Sequence, residues 1–337
     1  MKTVRVWFNH WFSTAYHIIR MIGEDEDINF AMVGSNTDEN CVYRAVCDEW
    51  FTEAKFGDSD EYVDFCVAFC RARKIDVFAP RRGIRAVSRR IGEFDAIGVK
   101  VLAERNHRMM SALSDKAETY RLFGDAGIGH IPPYRVVTSA AEYEEAYHRF
   151  KTESNRVCLK FASDEGAVSF RVVDDRIEHN LTENAGTKVA HANVVEALSR
   201  LGKFPELLVM PYLSGAEISV DCLSARDGEH IIIPRRKSWR RSETIKFDHD
   251  IVNICEAFLD KFGLRCPCNL QFKYEGGVPY LLEVNARMSG GIQLSYAATG
   301  INIPNIAVNR LLGVEKRPVW DKTTRVVSFI ETPVLLR

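Results

Sequence analysis

Through the first hundred residues, short apolar runs alternate with segments of helical periodicity. VRVWF, INFAMVGS and DVFAP read as buried strands, with a helix from Ser13 to Ile22 and another around Tyr62 to Lys74 between them. In the second helix Tyr62, Phe65, Cys66, Phe69 and Cys70 recur at three- and four-residue spacings, an apolar stripe that belongs to a core. Strand and helix in alternation predict a parallel sheet covered by helices. The pattern restarts at DKAE, where Asp115 and Glu118 have capping-box spacing. That helix runs to the breaker Gly127-Ile128-Gly129 before Pro132-Pro133, which reads as a domain junction.

From Tyr134 to Met210 the pattern is that of a small α+β unit able to move as a lid. It contains strand YRVV, a helix opened by Ser139 and Glu142, strands RVCLKFA and VSFRVV, a helix near His191 to Leu201 and strand LLVMP. Beyond it come a hairpin, GAEISVDCLSA and HIIIPRR around the turn Arg226-Asp227-Gly228-Glu229, a helix from Asp248 to Phe262, and a second hairpin, CNLQFKY and PYLLEVNAR. The expected domains are an α/β domain over 1–110, a linker helix and lid over 111–208, and a carboxyl-terminal subdomain over 209–337.

Composition narrows the class. The chain has 337 residues, 46% hydrophobic and 27% charged, the balance of a globular protein of two or three packed units. A formal charge of -1 offers no global field for nucleic acid. Asn9 and His10 interrupt the apolar run at the amino terminus before it can serve as a signal-peptide core, and no window approaches a bilayer span, so a cytoplasmic protein is expected, without nucleic-acid or membrane partners. The nine cysteines sit mostly in apolar patterns, as reduced thiols do. Cys266 and Cys268 lack a second Cys or His pair and read as structural rather than zinc-binding.

The candidate chemistry lies in LLEVNAR. Successive strand side chains point to opposite faces, so Glu283, Asn285 and Arg287 share one face. A carboxylate and an amide oxygen suit magnesium shared with phosphates, and an arginine can grip a phosphoryl oxygen. Three polar residues on a hairpin face are, taken alone, equally a solvent face. Gln271 on the partner strand joins Glu283 only if the loop parity allows it. A two-residue Gly276-Gly277 turn pairs Gln271 with Leu282, whereas an odd loop centred on Gly277 sets Gln271 opposite Glu283 and Asn269 opposite Asn285, and the odd loop is expected.

Other parts add weight. Lys160 sits in an otherwise apolar strand, where it either snorkels or meets an anion. LLVMPYLSGAEISVD offers backbone groups near Met210, Tyr212 and Leu213, where a purine edge can fit, and then Glu217 for a ribose. In RMSGG, Ser289, Gly290 and Gly291 can cradle an anion with backbone N–H groups. Arg235, Arg236 and Lys237 open a basic loop that either meets a substrate anion or is simply solvated, and Asp221 either faces the site or caps a sheet edge. His10, His17, His107 and His191 lack partners at ligand spacing and are assigned no role. The first strand leads into FNHWFST and not a G-x-G-x-x-G turn, which disfavours a nicotinamide dehydrogenase; there is no G-x-x-x-x-G-K-[ST] loop either.

In this order, DKAETYRLFGDAGI, VCLKF, LLVMPYLSGAEISVD and NLQF…LLEVNARMSGG resemble the ATP-grasp superfamily, near its carbamoyl-phosphate-synthase-like and amino-acid-ligase branches. The opening VWFNHWFS is similar to the branch associated with tellurium-resistance gene clusters. The resemblance implies an ATP-grasp fold behind an amino-terminal Rossmann-like parallel-sheet domain. It implies an ADP-forming ligase that joins a carboxylate to an amine through an acyl phosphate, with a homodimer as a possible assembly. By the same resemblance Lys116 and Lys160 lie on the ATP phosphates, Met210, Tyr212 and Leu213 at the base, and Glu217 on the ribose. Gln271, Glu283 and Asn285 hold magnesium, for which manganese can substitute, and Arg287 acts with Lys160 on the transferred phosphoryl group. Two departures stand out. Pro211 occupies the place of a glutamate that reads adenine, and the phosphate-covering loop reads SDEGA, with Asp164 and Glu165 expected to point outward. They leave an alternative, a nucleotide-binding regulator on the same fold.

Overall fold

A computed structural model describes residues 3–57, 59–154, 156–164, 168–179, 186–225, 230–238, 241–316, 318–319 and 321–336. The turn Arg226–Glu229, Glu165 and Gly166, and Trp239 and Arg240 of the basic loop lie outside the described residues. Two compact units emerge, neither of them contiguous in sequence. The first is residues 1–111, 218–270 and 285–337, and the second is residues 112–217 and 271–284.

The first unit opens with a five-stranded parallel sheet. Its strands are β1 (Val4–Asn9), β2 (Phe30–Asn36), β3 (Glu49–Thr52), β4 (Val77–Ala79) and β5 (Lys100–Val101), in the order β3-β2-β1-β4-β5. Helices α1 (Ala15–Gly23), α2 (Ser59–Ala72), α3 (Ile84–Arg89), α4 (Ile91–Asp95) and α5 (His107–Leu113) accompany it. The apolar runs were the strands because both sheet faces are buried: Val6, Trp7, Phe8, Val77, Phe78 and Ala79 have no exposed surface. On α2 the stripe packs as expected, and Trp7 stacks on Phe78 with ring centroids 4.2 Å apart. The short edge strand β3 carries no period-2 signal and went unpredicted.

The second unit begins with α6 (Lys116–Ala126), capped by the Asp115 carboxylate accepting from Glu118 N–H at 2.9 Å. Its sheet, ordered β6-β10-β7-β8-β9, consists of β6 (Arg135–Val137), β7 (Val157–Phe161), β8 (Arg171–Val173), β9 (Lys188–Val189) and β10 (Leu207–Pro211). Helix α7 (Ala140–Glu153) starts with a complete Ser139–Glu142 capping box, and α8 (His191–Leu201) packs beside it. Tyr143, Phe150, Val157, Leu207 and Val209 form the centre of this core.

The remaining sheet is ordered β15-β14-β11-β12-β13-β16. It is built from β11 (Glu217–Leu223), β12 (Ile231–Lys237), β13 (Ser242–Ile245), β14 (Cys268–Glu275), β15 (Val278–Asn285) and β16 (Arg325–Ser328), and the division between units passes along β11, β14 and β15. Helices α9 (His249–Phe262), α10 (Ile292–Thr299) and α11 (Ile303–Leu311) belong to the first unit, where Ile292, Ile303 and Val308 share one core with Val6, Phe8 and Ile18. Among the described residues no helix is long and apolar enough to cross a membrane. Cys266 and Cys268 are buried, and no cluster of three His, Cys, Asp or Glu able to hold a metal occurs among the described residues.

Candidate functional site

The hairpin β14–β15 turns on Gly276 and Gly277, with φ of +57° and +84°. Positive φ at both central positions makes a tight two-residue turn whose twist suits the strands, so the expected odd loop is not formed. The glycines that suggested a bulge supply the turn itself. Along β15, however, burial does not alternate cleanly. Leu281 and Val284 are both buried, while Leu282 and Glu283 between them are both half-buried. Two half-buried residues thus stand between two buried ones at Leu282–Glu283. There the Leu282 carbonyl accepts from two side chains, Lys160 Nζ and Tyr120 OH, each at 3.0 Å.

Two lysines meet at this point of the second unit. Lys116 is the first residue of α6, and its backbone N–H is held by Ala162 O at 2.9 Å. Its Nζ donates to the Asp164 carbonyl at 2.6 Å and to Asp164 Oδ1 at 2.7 Å, and lies 3.9 Å from Glu283 Oε2. Lys160, on β7, is 8% exposed, with Nζ 5.8 Å from the centre of the Tyr120 ring. Burial, together with the Lys116 charge, pulls its pKa down to about 8. A buried amine held this far below its ordinary range gains from any anion that arrives beside it. Asp164 corrects an expectation: its carboxylate turns inward to Lys116 and also accepts from Ser169 N–H and Oγ. Burial pushes its pKa up, but the hydrogen bonds from Lys116 and Ser169 outweigh it and hold the carboxyl below its usual range.

In the same unit β10 runs antiparallel to β7, with Met210 opposite Cys158 and Pro211 opposite Val157. The Tyr212 N–H donates to Arg156 O at 2.9 Å, and the Tyr212 ring receives Arg156 at 4.4 Å and Lys273 at 4.9 Å. Leu213 is buried, and Glu217 is half-buried at the start of β11. Gln271 is half-buried on β14.

In the first unit Asn285 closes β15 and is half-buried. Arg287 follows, its guanidinium 5.5 Å from the centre of the Phe12 ring and Nη1 donating to Met288 O at 3.1 Å. Asp221 and Arg235 are turned into the protein, toward each other. Arg235, 2% exposed, donates through Nε to Asp221 Oδ2 at 2.9 Å and pairs also with Glu243. Ser289 Oγ donates to Asp221 Oδ1 at 2.6 Å and accepts from Arg235 at 3.0 Å, and Ser295 Oγ donates to Asp221 Oδ2 at 2.6 Å. Asn269 Nδ2 completes the network with bonds to Ser219 Oγ at 2.9 Å and Asp221 Oδ1 at 3.0 Å. Arg236 points the other way along β12 and is exposed, as is Lys237. Gly291 is a spacing requirement, since a Cβ there would stand 2.5 Å from Arg235 Nη1.

Residues 203–332 match a family described as ATP-grasp in the biosynthetic pathway with Ter operon. The carbamoyl phosphate synthase large chain of Clostridium acetobutylicum is 23% identical over 232 residues, 64% of this chain and 20% of that one. That of Clostridium botulinum is 29% identical over 127 residues, 32% of this chain and 12% of that one. The chain therefore spans a fifth or less of the length of these curated relatives. Among solved structures, the ADP complex of N5-carboxyaminoimidazole synthetase from Staphylococcus aureus superposes with a TM-score of 0.70 at 10% identity, over 96% of this chain and 81% of that one. A biotin carboxylase from Campylobacter jejuni gives 0.68 at 17% identity, over 93% and 72%. Residues 203–332 thus match an ATP-grasp family, and the chain shares the fold of these two solved structures.

Within the chain, the structure gathers Lys116, Lys160 and Glu283 in one unit and sets Asn285 two positions beyond Glu283 on the same strand. Tyr120, Glu243 and Ser295 are participants that sequence reasoning did not assign, and Asp164 and Asn269 take partners it did not give them. Ser219 and Asp221 on alternate residues carried a usable signal for the buried network. Nothing in the local pattern around Asp164 gave its direction, because its partner is 48 residues away.

Proposed function

We propose that this protein is an ADP-forming ligase that phosphorylates a substrate carboxylate with ATP and passes the acyl group to an amine. The observation that carries the reading is the pair of buried lysines, Lys116 and Lys160, converging beside Glu283. Buried ammonium groups are costly unless an anion joins them, and a triphosphate is such an anion. A carboxylate with two amide oxygens, Glu283, Asn285 and Gln271, is a donor set that fits a hard cation which keeps its own waters, magnesium or manganese, and poorly fits zinc. When bound, that cation neutralises charge on the phosphoryl oxygens.

In this reading Lys116 and Lys160 hold the phosphates, and Met210, Tyr212 and Leu213 border the base. Glu217 meets the ribose, and Arg287 meets the phosphoryl group in transfer. Ser289, Gly290 and Gly291 line the acceptor acid, with Arg236 as the exposed basic group on β12. The protein positions and neutralises, and closure of the lid would keep water from the acyl phosphate. Pro211 supports a base pocket that tolerates more than adenine, because it supplies neither a side-chain acceptor nor an N–H.

A specific contact favours a second reading, a nucleotide-sensing regulator: Asp164 already occupies Lys116. The deciding experiment is a screen for ADP release with magnesium across carboxylic acids crossed with amines. ADP formation that needs both an acid and an amine supports the ligase. Tight Mg·ATP binding with no turnover for any pair supports the regulator.

A further inference from the structure

Outside the phosphate-binding residues, the first unit carries a second group of polar side chains at the carboxyl ends of its parallel strands. The sheet order β3-β2-β1-β4-β5 sends the chain to one side of β1 and then to the other. The switch point therefore falls between the ends of β1 and β4, where open α/β sheets take their ligands. Asn9, the last residue of β1, is fully buried and ties the two ends together. Its Nδ2 donates to Arg82 O at 3.2 Å and to Tyr62 OH at 2.8 Å, and its Oδ1 accepts from Arg81 N–H at 2.6 Å.

Next to it stands His10, with φ of +45°, a conformation that a residue with a Cβ adopts only under constraint. His10 Nε2 is 2.7 Å from Glu53 Oε2, and the Glu53 side chain is 1% exposed. Ser35 Oγ donates to Glu53 Oε1 at 2.6 Å and Tyr62 OH to Oε2 at 3.0 Å, so both carboxylate oxygens are fixed. In the tautomer that donates from Nε2 to Glu53, the closer of its two partners, Nδ1 is left as the acceptor. Nδ1 has no hydrogen-bond partner among the described residues and is not one of the buried orphan atoms, so it is open to solvent. Beside it the Arg82 guanidinium lies 4.4 Å from the centre of the Tyr62 ring, with Nη1 3.2 Å from His10 Nε2 and the side chain 28% exposed.

The same turn reaches the acceptor loop within this unit. Phe12 carries the Arg287 guanidinium on its ring, and a Cβ on Gly290 would lie 3.2 Å from Thr14 Oγ1. We propose that His10, Glu53 and Arg82 form the binding site for the nucleophilic co-substrate, a small amine that also bears an anionic group, as α-amino acids do. His10 Nδ1 accepts a hydrogen bond from the amine, Glu53 orients the ring, and the exposed edge of Arg82 meets the anionic group. This rests on the ligase reading and adds to it the class of amine and the residues that hold it.

The test is calorimetric titration of the full chain, saturated with magnesium and a non-hydrolysable ATP analogue, with each proteinogenic L-amino acid. His10→Gly removes the imidazole while suiting the backbone at φ +45°, and Glu53 keeps its bonds from Ser35 and Tyr62, so the variant should still fold, as thermal unfolding will check. The expected result is binding of at least one amino acid, weakened roughly tenfold or more in His10→Gly and in Arg82→Met, with analogue affinity unchanged. Arg82→Lys serves if the methionine variant is unstable. Binding of no amino acid, or binding unaltered by these substitutions, overturns the proposal. Loss of analogue binding by the wild type itself would instead count against the ligase reading.

Discussion

Asp164 Oδ1 lies 2.7 Å from Lys116 Nζ, so the amine that would receive a phosphate already has an anion of its own. The carboxylate is mostly shielded, with 13% of the Asp164 side chain exposed, and its carbonyl adds a second bond at 2.6 Å. An incoming phosphate must compete with it. Asp164→Asn keeps an acceptor for Ser169 and the carbonyl bond to Lys116 but removes the charge. It should therefore bind Mg·ADP more tightly, by roughly three- to tenfold in a titration. Weaker binding would mean that Asp164 contributes to the nucleotide site instead of obstructing it.

Lys160 makes a separate prediction through its proton. Its pKa in the folded chain is lowered, to about 8, so between about 8 and the ordinary lysine value of 10.5 the unfolded chain binds a proton that the native state lacks. Stability from this group therefore rises with pH across that window, and below it the charged buried amine is a constant penalty. Lys160→Met should raise stability near neutral pH, by roughly 1–3 kcal/mol, with a gain that shrinks as pH approaches 10. The same variant should bind nucleotide much more weakly. Because a phosphate anion restores the lysine's proton, Mg·ADP binding near pH 8 should take up a fraction of a proton in the wild type and less in the variant. Titrations in buffers of different ionisation enthalpy measure this.

What was legible in the sequence follows from the range of the interaction involved. Short-range signals were reliable: the capping pairs Asp115–Glu118 and Ser139–Glu142, the apolar strands and the α2 stripe all depend on neighbours within a few residues. The β14–β15 turn was misjudged because Gly276-Gly277 satisfies either loop parity on paper, and only the two positive φ values distinguish them. His10 was set aside for want of a partner at ligand spacing, yet its partner, Glu53, stands 43 residues away across a parallel sheet. Two consecutive parallel crossovers, the first through α1, bring them together, and no periodicity reports that. The Arg235 network was hidden in the same way, since arginines opening a basic loop look solvated until Asp221 and Glu243 are placed beside them.

Glu283 gives the most direct test of the proposed reaction. It is the one carboxylate of the donor set on β15, and it lies 3.9 Å from Lys116. Glu283→Ala should remove metal-dependent ADP formation, a loss of about a hundredfold or more, while thermal unfolding without nucleotide stays within a few degrees of the wild type. Near-normal turnover in this variant would rule out the β15 strand as the phosphoryl-transfer centre.

Arg235 and Arg236 are adjacent in sequence and should behave oppositely. Arg235 is buried against two carboxylates, Asp221 and Glu243, so Arg235→Met strands both charges in the interior. Removing one partner of a buried ionic group typically costs about 3–5 kcal/mol, and chemical denaturation should show a loss of that order. Arg236→Met lies on the exposed side of β12 and should leave stability unchanged within about 0.5 kcal/mol, so that any loss of turnover reports a contact with substrate. Gly291 links the network to the loop of residues 289–291. In Gly291→Ala the new methyl, 2.5 Å from Arg235 Nη1, must displace either the guanidinium or the loop. If the guanidinium yields, its bonds to Asp221 and Ser289 weaken and the midpoint of unfolding falls toward that of Arg235→Met. If the loop yields, stability holds and turnover falls. Measured together, the two readouts show which of them is the more rigid, and because two carboxylates hold Arg235 the loop is expected to yield.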